Sequence, residues 1–243
     1  MAGPGRFQPL YPEERVLVPL LELASQLVAE CHRLGGQAGE PLVRALRPKL
    51  RAMNSYYTNK LEGQHTQPAA IERALRQQFD ADAVLARKQR LAVAHMELEE
   101  QLERSQAGRP ARDLFNPALV REIHGLLYGK LPEADRITDE GKGIVPGAYR
   151  VDEVQAGRHV APPWKDIERL MEAWAERYRT LAGTEALLIG AACSHQRLTW
   201  IHPFIDGNGR AARLHSHAVL DAMGLTHGLW SPMRGLARTQ EQY

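Results

Sequence analysis

The feature that most limits what this chain can become is the segment His202-Pro203-Phe204-Ile205-Asp206-Gly207-Asn208-Gly209-Arg210-Ala211-Ala212-Arg213. A stretch of helical composition, Thr184 to Trp200, precedes it, and another helix, from about Gly209 to Met223, follows it. A polar, glycine-bearing loop must therefore join two helices. Glycines in such a loop let the backbone turn its N–H groups inward and let a ligand come close. A nest of N–H groups at a helix N-terminus is an anion site by geometry and by dipole.

The side chains around that nest suggest what the anion is. Arg210 and Arg213 are three apart and share one helix face. Two guanidiniums beside a nest suit a polyphosphate, because each presents paired donors to phosphate oxygens. Asp206 would repel phosphate, and a divalent cation resolves the conflict. Mg²⁺ takes one or two carboxylates and completes its shell with phosphate oxygens and water. His202 has an unperturbed pKa near neutrality and can take a proton from an incoming hydroxyl. Base, metal, cradle and charge clamp together describe phosphoryl or nucleotidyl transfer from a nucleoside triphosphate. Any one of these residues alone is compatible with an ordinary turn or a solvated charge.

The remaining sequence predicts an all-α fold with one small β insertion. Glu13 and Glu14 follow Pro12 into a first helix. Its apolar residues Leu17, Leu20, Leu21, Leu23, Ala24, Leu27, Val28 and Cys31 recur at helical spacing, with Gly35-Gly36 as its stop. Pro41 starts a helix towards Leu61, with Gly63 as its end. Pro68 opens a third, with Phe79 near its end, and Ala81 to Leu102 is a long fourth. Asn116-Pro117 has the form of an N-cap and first helical position. Residues 138–163 carry Gly141, Gly143, Gly147 and Gly157 among scattered Val, Ile and Tyr, which is loop or hairpin composition. Trp164 to Leu181 is helical again.

Composition sets outer bounds. The net charge is +2, so no global basic field for gripping nucleic acid exists. Two cysteines, Cys31 and Cys193, read as idle thiols of a reducing compartment. The longest apolar stretch, Ala186 to Cys193, is too short to cross a bilayer, and the N-terminus lacks a signal pattern. The expectation is a cytoplasmic protein with no membrane or nucleic-acid partner.

The 202–213 segment resembles the Fic family signature, His-Pro-Phe-x-(Asp/Glu)-Gly-Asn-Gly-Arg-x-x-Arg, with every specified position matched. The stretch 144–162 looks like that family's target-positioning flap, and about residues 113–230 look like its core. The resemblance implies a Fic-type helical bundle over 111–243 and an N-terminal helical region over 1–110. It also implies residue roles. His202 would deprotonate a target hydroxyl, Phe204 anchor the loop, and Asp206 hold Mg²⁺ (Mn²⁺ in its place). Gly207, Asn208 and Gly209 would cradle the α- and β-phosphates. Arg210 would neutralise developing charge and Arg213 hold the γ-phosphate. The implied activity is AMP transfer from ATP to a Ser, Thr or Tyr hydroxyl of a protein, releasing pyrophosphate. The family often continues beyond Tyr243 with residues that contact the adenine.

Upstream, Thr58-Asn59-Lys60-Leu61-Glu62-Gly63 resembles the family's inhibitory pattern, (Ser/Thr)-x-x-x-Glu-(Gly/Asn). Alone it is an ordinary capped helix end. Beside the motif, the resemblance implies that the helix at about 41–63 is a brake in which Glu62 pairs with Arg213. The same resemblance leaves other transfers open: UMP or GMP, phosphocholine, phosphate, or removal of AMP. A non-catalytic nucleotide-binding module is a second class. Self-modification and a homodimer are compatible with the transferase reading. His215 and His217, two apart on a helix, look like a poor metal pair. Glu97, Glu99 and Glu100 read as a solvated face and His124 and His195 as core or surface residues, and Arg234 and Arg238, which lie after the core, are given no role although they could approach the nucleotide.

Overall fold

The computed structural model describes residues 7–64 and 66–241. Nine α-helices follow in order among these residues: α1 (Glu14–Gln37), α2 (Glu40–Leu61), α3 (Pro68–Leu75), α4 (Ala83–Ser105), α5 (Pro117–Gly129), α6 (Ile167–Arg179), α7 (Thr184–Ile201), α8 (Asn208–Ala222) and α9 (Met233–Arg238). One hairpin completes the fold. Strand β1 (Gln155–Ala156) pairs antiparallel with β2 (His159–Val160), with Gln155 opposite Val160 and Ala156 opposite His159. The expected all-α fold with a small β insertion is what forms. Regular pairing covers only the tip of the 144–162 stretch.

Local chemistry explains most helix ends. Pro41 lies in the first turn of α2, where its missing N–H costs nothing. Asn116 caps α5 by accepting the Ala118 N–H at 2.9 Å. Asp82 caps α4 by accepting the Leu85 N–H at 2.9 Å, so that helix begins at Ala83 rather than Ala81. Two expected ends differ. The α1 helix runs through Gly35-Gly36 to Gln37, because the His227 ring packs where a Gly35 side chain would stand. Gly35 is therefore a contact point, not a stop. The α3 helix ends at Leu75, short of Phe79, because Gln77 takes φ +60° and the Gln78 N–H turns back to the Arg73 carbonyl.

One apolar core holds the site in place. Leu91, Leu98 and Leu102 of α4 join Ile123 and Leu127 of α5, Trp174 of α6, Ile201 of α7 and Leu214 of α8. Trp174 sits at its centre, edge-on to Phe115, Tyr178 and His215, and donates to Ser194 Oγ at 3.0 Å. Helix α1 lies along α7, and α2 packs between α4 and α9. The long neighbours α7 and α8 run into and out of the 202–213 loop. No described helix is long and apolar enough to cross a membrane.

Truncation of Trp174 to alanine removes the ring that four core elements share. It is expected to lower the unfolding free energy by about 3–5 kcal/mol, read as a shift in the urea midpoint. A loss below about 1 kcal/mol would mean that the core is not organised around this ring.

Candidate active site

The loop between α7 and α8 is tightly specified. Helix α7 ends at His202, whose φ of 51° and ψ of 58° lie in the left-handed region. That conformation is costly for a residue with a side chain and persists only where the surroundings impose it. Here Arg150 imposes it from the flap. Its backbone N–H donates to the Pro203 carbonyl at 2.9 Å. Its guanidinium donates to the carbonyls of His202 at 2.8 Å, Asp152 at 2.6 Å and Pro162 at 2.6 Å. One buried fork thus ties both limbs of the flap to the histidine.

Behind the loop, Phe204 is buried and stacks flat on His124, with centroids 3.9 Å apart. His124 accepts the Gly147 N–H at Nδ1 (2.9 Å), so Nε2 carries the proton and donates to the Asp206 carbonyl at 3.1 Å. Burial pulls this ring down to about 4, so it is neutral. The sequence offered nothing that marked His124 as a support of the loop. The Asn208 side chain also faces inward: it accepts the Phe204 N–H and donates to the Phe204 carbonyl, both at 2.8 Å. Asn208 therefore closes the loop with its side chain and offers a ligand its backbone.

Gly207 has φ +77°, and a side chain there would strike the Tyr128 ring. No side chain caps α8, so the N–H groups of its first turn are left for an anion. Tyr128, which the sequence reading did not single out, links two motif residues. It donates to Asp206 Oδ2 at 3.0 Å and accepts from Arg210 at 3.3 Å. Asp206 also accepts the Gly207 N–H at Oδ1 (2.6 Å). Its side chain is 31% exposed, and Arg87 approaches Oδ2 to 3.9 Å. Each oxygen keeps acceptor capacity, so a lone carboxylate beside an anion cradle fits Mg²⁺ or Mn²⁺.

The His202 ring rests with Nδ1 3.3 Å from the Thr199 carbonyl. That contact takes the Nδ1 proton and leaves Nε2 as the basic nitrogen. Burial holds the ring below its ordinary pKa, outweighing the Thr199 contact, so it is unprotonated at neutral pH. His202 lines a cavity of about 730 Å³ with Glu62, Asn208, Gly209 and Arg213. Trp230, Pro232 and Leu236 form an apolar wall of the same cavity, whereas Arg234 and Arg238 are exposed. His159, on the flap, is tied to the Trp200 carbonyl at 2.7 Å.

Helix α2 delivers a carboxylate to this cavity. Arg213 is 2% exposed and donates from Nε to Thr58 Oγ1 at 2.6 Å and from Nη2 to Glu62 Oε1. Gly63, at φ +69°, follows the helix end and leaves Glu62 at its tip. The carboxylate lies so close over Gly209 that any side chain there would collide with it. Burial alone would raise the Glu62 carboxyl, but Arg213 and Arg210 more than offset this and hold it below the usual range. The structure thus brings together every residue that the motif and the upstream pattern had nominated.

Comparison with known proteins agrees with this geometry. Residues 114–220 match the Fic/DOC family, and the chain carries a Fic domain. The protein adenylyltransferase Fic of Nematostella vectensis is 28% identical over 190 residues, 76% of this chain and 40% of that protein. Its namesake in Drosophila yakuba is 34% identical over 116 residues, 47% of this chain and 23% of that protein. The chain thus spans less than half the length of these relatives. Among solved structures, a Fic family protein from Desulfovibrio desulfuricans superimposes with a TM-score of 0.69 at 19% identity, covering 97% of this chain and 66% of that one. A Fic domain containing signaling protein from Bacteroides thetaiotaomicron gives 0.62 at 18% identity, over 92% and 81%. At these identities the structures establish the fold.

Arg150→Lys is expected to loosen the flap as Arg150→Ala does, because one ammonium cannot span three carbonyls. In hydrogen exchange, amides of residues 150–162 should exchange about tenfold faster or more, with α6 and α8 unchanged. Equal protection in both variants would show that the flap is held by other contacts.

Proposed function

We propose that this chain is a protein adenylyltransferase that moves AMP from ATP to a side-chain hydroxyl and is restrained by its own Glu62. The observation that carries the proposal is the seating of Glu62 on Arg213, at the mouth of an anion cradle beside a neutral histidine. A carboxylate held there occupies the donors that a terminal phosphate would need.

His202 Nε2 takes the proton of the incoming hydroxyl as its oxygen bonds to the α-phosphorus. The bond from that phosphorus to the bridging oxygen of the β-phosphate breaks, and pyrophosphate leaves. The backbone N–H groups of Asn208 and Gly209 hold the phosphate oxygens, while Gly207, whose N–H is bonded to Asp206, supplies the turn. Arg210, buried and braced by Tyr128, meets the charge that builds on them. Asp206 would hold Mg²⁺, which neutralises phosphate charge when bound. Arg213, freed from Glu62, orients the γ-phosphate, and Trp230 and Pro232 supply apolar surface for the base. The protein target lies along the exposed flap by backbone pairing, a mode that adds an extended peptide to a sheet edge.

The first test incubates wild type, Glu62→Gly and Glu62→Gly/His202→Ala with α-labelled ATP, Mg²⁺ and a cell lysate. Strong labelling by Glu62→Gly alone is expected, about 100-fold above the other two. Absence of label in all three, with ATP still bound, would reject AMP transfer.

The pH profile supplies a second test. The Glu62 pKa is depressed on folding, so its pairing is present above the ordinary carboxylate pKa and is lost only as pH falls through the lower, folded value. Wild type should therefore stay restrained from pH 6 to 9, roughly the range over which both partners remain charged. In Glu62→Gly, the acid limb of the rate should lie below about 6.5, the ordinary histidine value, because burial keeps His202 neutral. Activation of wild type on a shift from about pH 8 to 6 would contradict the assigned pairing.

A further inference from the structure

A second polar cluster lies deeper along α8, where α4 crosses it, and we infer that Glu99, Glu103 and His217 form a binding site for a divalent transition-metal ion of the zinc class. One ligand atom from each of the three residues lies within 4.8 Å of the other two. His217 Nε2 stands 3.7 Å from Glu99 Oε1 and 4.0 Å from Glu103 Oε1. Donors about 2.0–2.2 Å from one ion stand about 3.3–3.6 Å apart in tetrahedral geometry, so the two His217 contacts are near that spacing and the carboxylates draw together by rotamer adjustment on binding.

The cluster is buried and only partly satisfied. The side chains of Glu99 and His217 are 2% and 6% exposed. Neither ring nitrogen of His217, nor Glu99 Oε2, has a hydrogen-bond partner. Polar atoms at such depth are ordinarily paired. The solvated face expected for Glu99 is thus corrected. Helical spacing puts Glu99 on the side of α4 opposite exposed Glu97, against α8.

The surroundings look like an outer shell. Asn54 donates to Glu99 Oε1 at 2.7 Å and itself accepts from Ser231 at 2.7 Å. Arg51 donates to Glu103 Oε2 at 2.5 Å. The fully buried His95, with both ring nitrogens unpartnered, has Nδ1 3.8 Å from Glu99 Oε2. Such partners fix the orientation of ligating carboxylates. A cavity of about 280 Å³ lined by Glu103, His217 and Asp221 provides a way in and room for a fourth ligand. One imidazole with two carboxylates is a set for Zn²⁺, Co²⁺ or Mn²⁺, whereas Ca²⁺ prefers an all-oxygen shell. His217 lies one turn beyond Arg213 on α8, and Asn54 and Arg51 lie on α2, the helix that carries Glu62. An ion there would bind α4 to α8 directly behind the brake.

The test uses untagged full chain, stripped with a chelator and free of nucleotide. Zn²⁺ is titrated by calorimetry and Co²⁺ by visible absorption. The expected result is one ion per chain, a tetrahedral Co²⁺ spectrum and a higher thermal midpoint. His217→Gln and Glu99→Gln, checked for folding by circular dichroism, should each weaken binding about 100-fold. Asp206→Asn should leave it unchanged. Three results overturn the site: no stoichiometric uptake by wild type, equal uptake by folded His217→Gln, or loss of uptake in Asp206→Asn. The wild-type titration decides the matter even where a variant does not fold. A protein that fills this cluster with a proton instead takes up no ion.

Discussion

Two guanidiniums buried at the start of α8 set the condition that the rest of the site satisfies. Arg210 is 1% exposed and Arg213 is 2% exposed. An unpaired charge at that depth would cost several kcal/mol, so each needs a partner whether or not a nucleotide is bound. For Arg210 the partners come from the core side. Tyr128 meets it and passes the contact on to Asp206. For Arg213 they come from α2, where Thr58 takes one edge of the fork and Glu62 the other. The seating of Glu62 on Arg213 is therefore the solution to a folding problem.

This view accounts for the division of labour around the loop. Residues that the ligand would touch are backbone N–H groups, two arginines, one carboxylate and one imidazole. Residues that hold them are His124, Asn208, Tyr128 and Arg150, and each makes its bonds to backbone carbonyls, backbone amides or motif side chains. The supporting set is neutral except for Arg150. That matters, because another charge in this dry region would move the balance that keeps His202 uncharged and Glu62 charged.

What could be read beforehand followed from local rules. Helical period, the caps at Pro41 and Asn116, and the loop before α8 are encoded within a few residues of where they act. The motif residues were legible because their chemistry is explicit in their types. The support was not. Tyr128 is 78 residues from Asp206, and Arg150 is 52 from His202. No spacing rule reaches across such gaps, and a tyrosine on an apolar helix face looks like packing. Glu99 was misjudged for a related reason. A run of glutamates reads as solvated until the helix against which one of them is pressed is known. Gly35 read as a helix stop because the residue that requires it, His227, lies in another part of the chain.

The nature of the Glu62 contact decides what kind of restraint it is. Removing Glu62 outright strands a buried guanidinium, whereas a terminal phosphate replaces one anion by another with similar donor geometry. The exchange swaps partners of like charge, so its net free energy is a small difference of large terms. A balance of that kind can be shifted by a modest perturbation of α2. Moving a two-state equilibrium from 1:99 to 99:1 requires only about 5.5 kcal/mol. Besides its packing on α9, helix α2 is held at its tip by Thr58 and Glu62 and, one to two turns earlier, by Arg51 and Asn54 against α4. The tip decides whether Arg213 is free. The earlier contacts decide how firmly the tip is held. On the proposed function, anything that strengthens or loosens the α2–α4 junction would set how readily Glu62 yields Arg213 without touching the nucleotide, which makes that junction, rather than the cradle, the place where restraint would be tuned independently of catalysis.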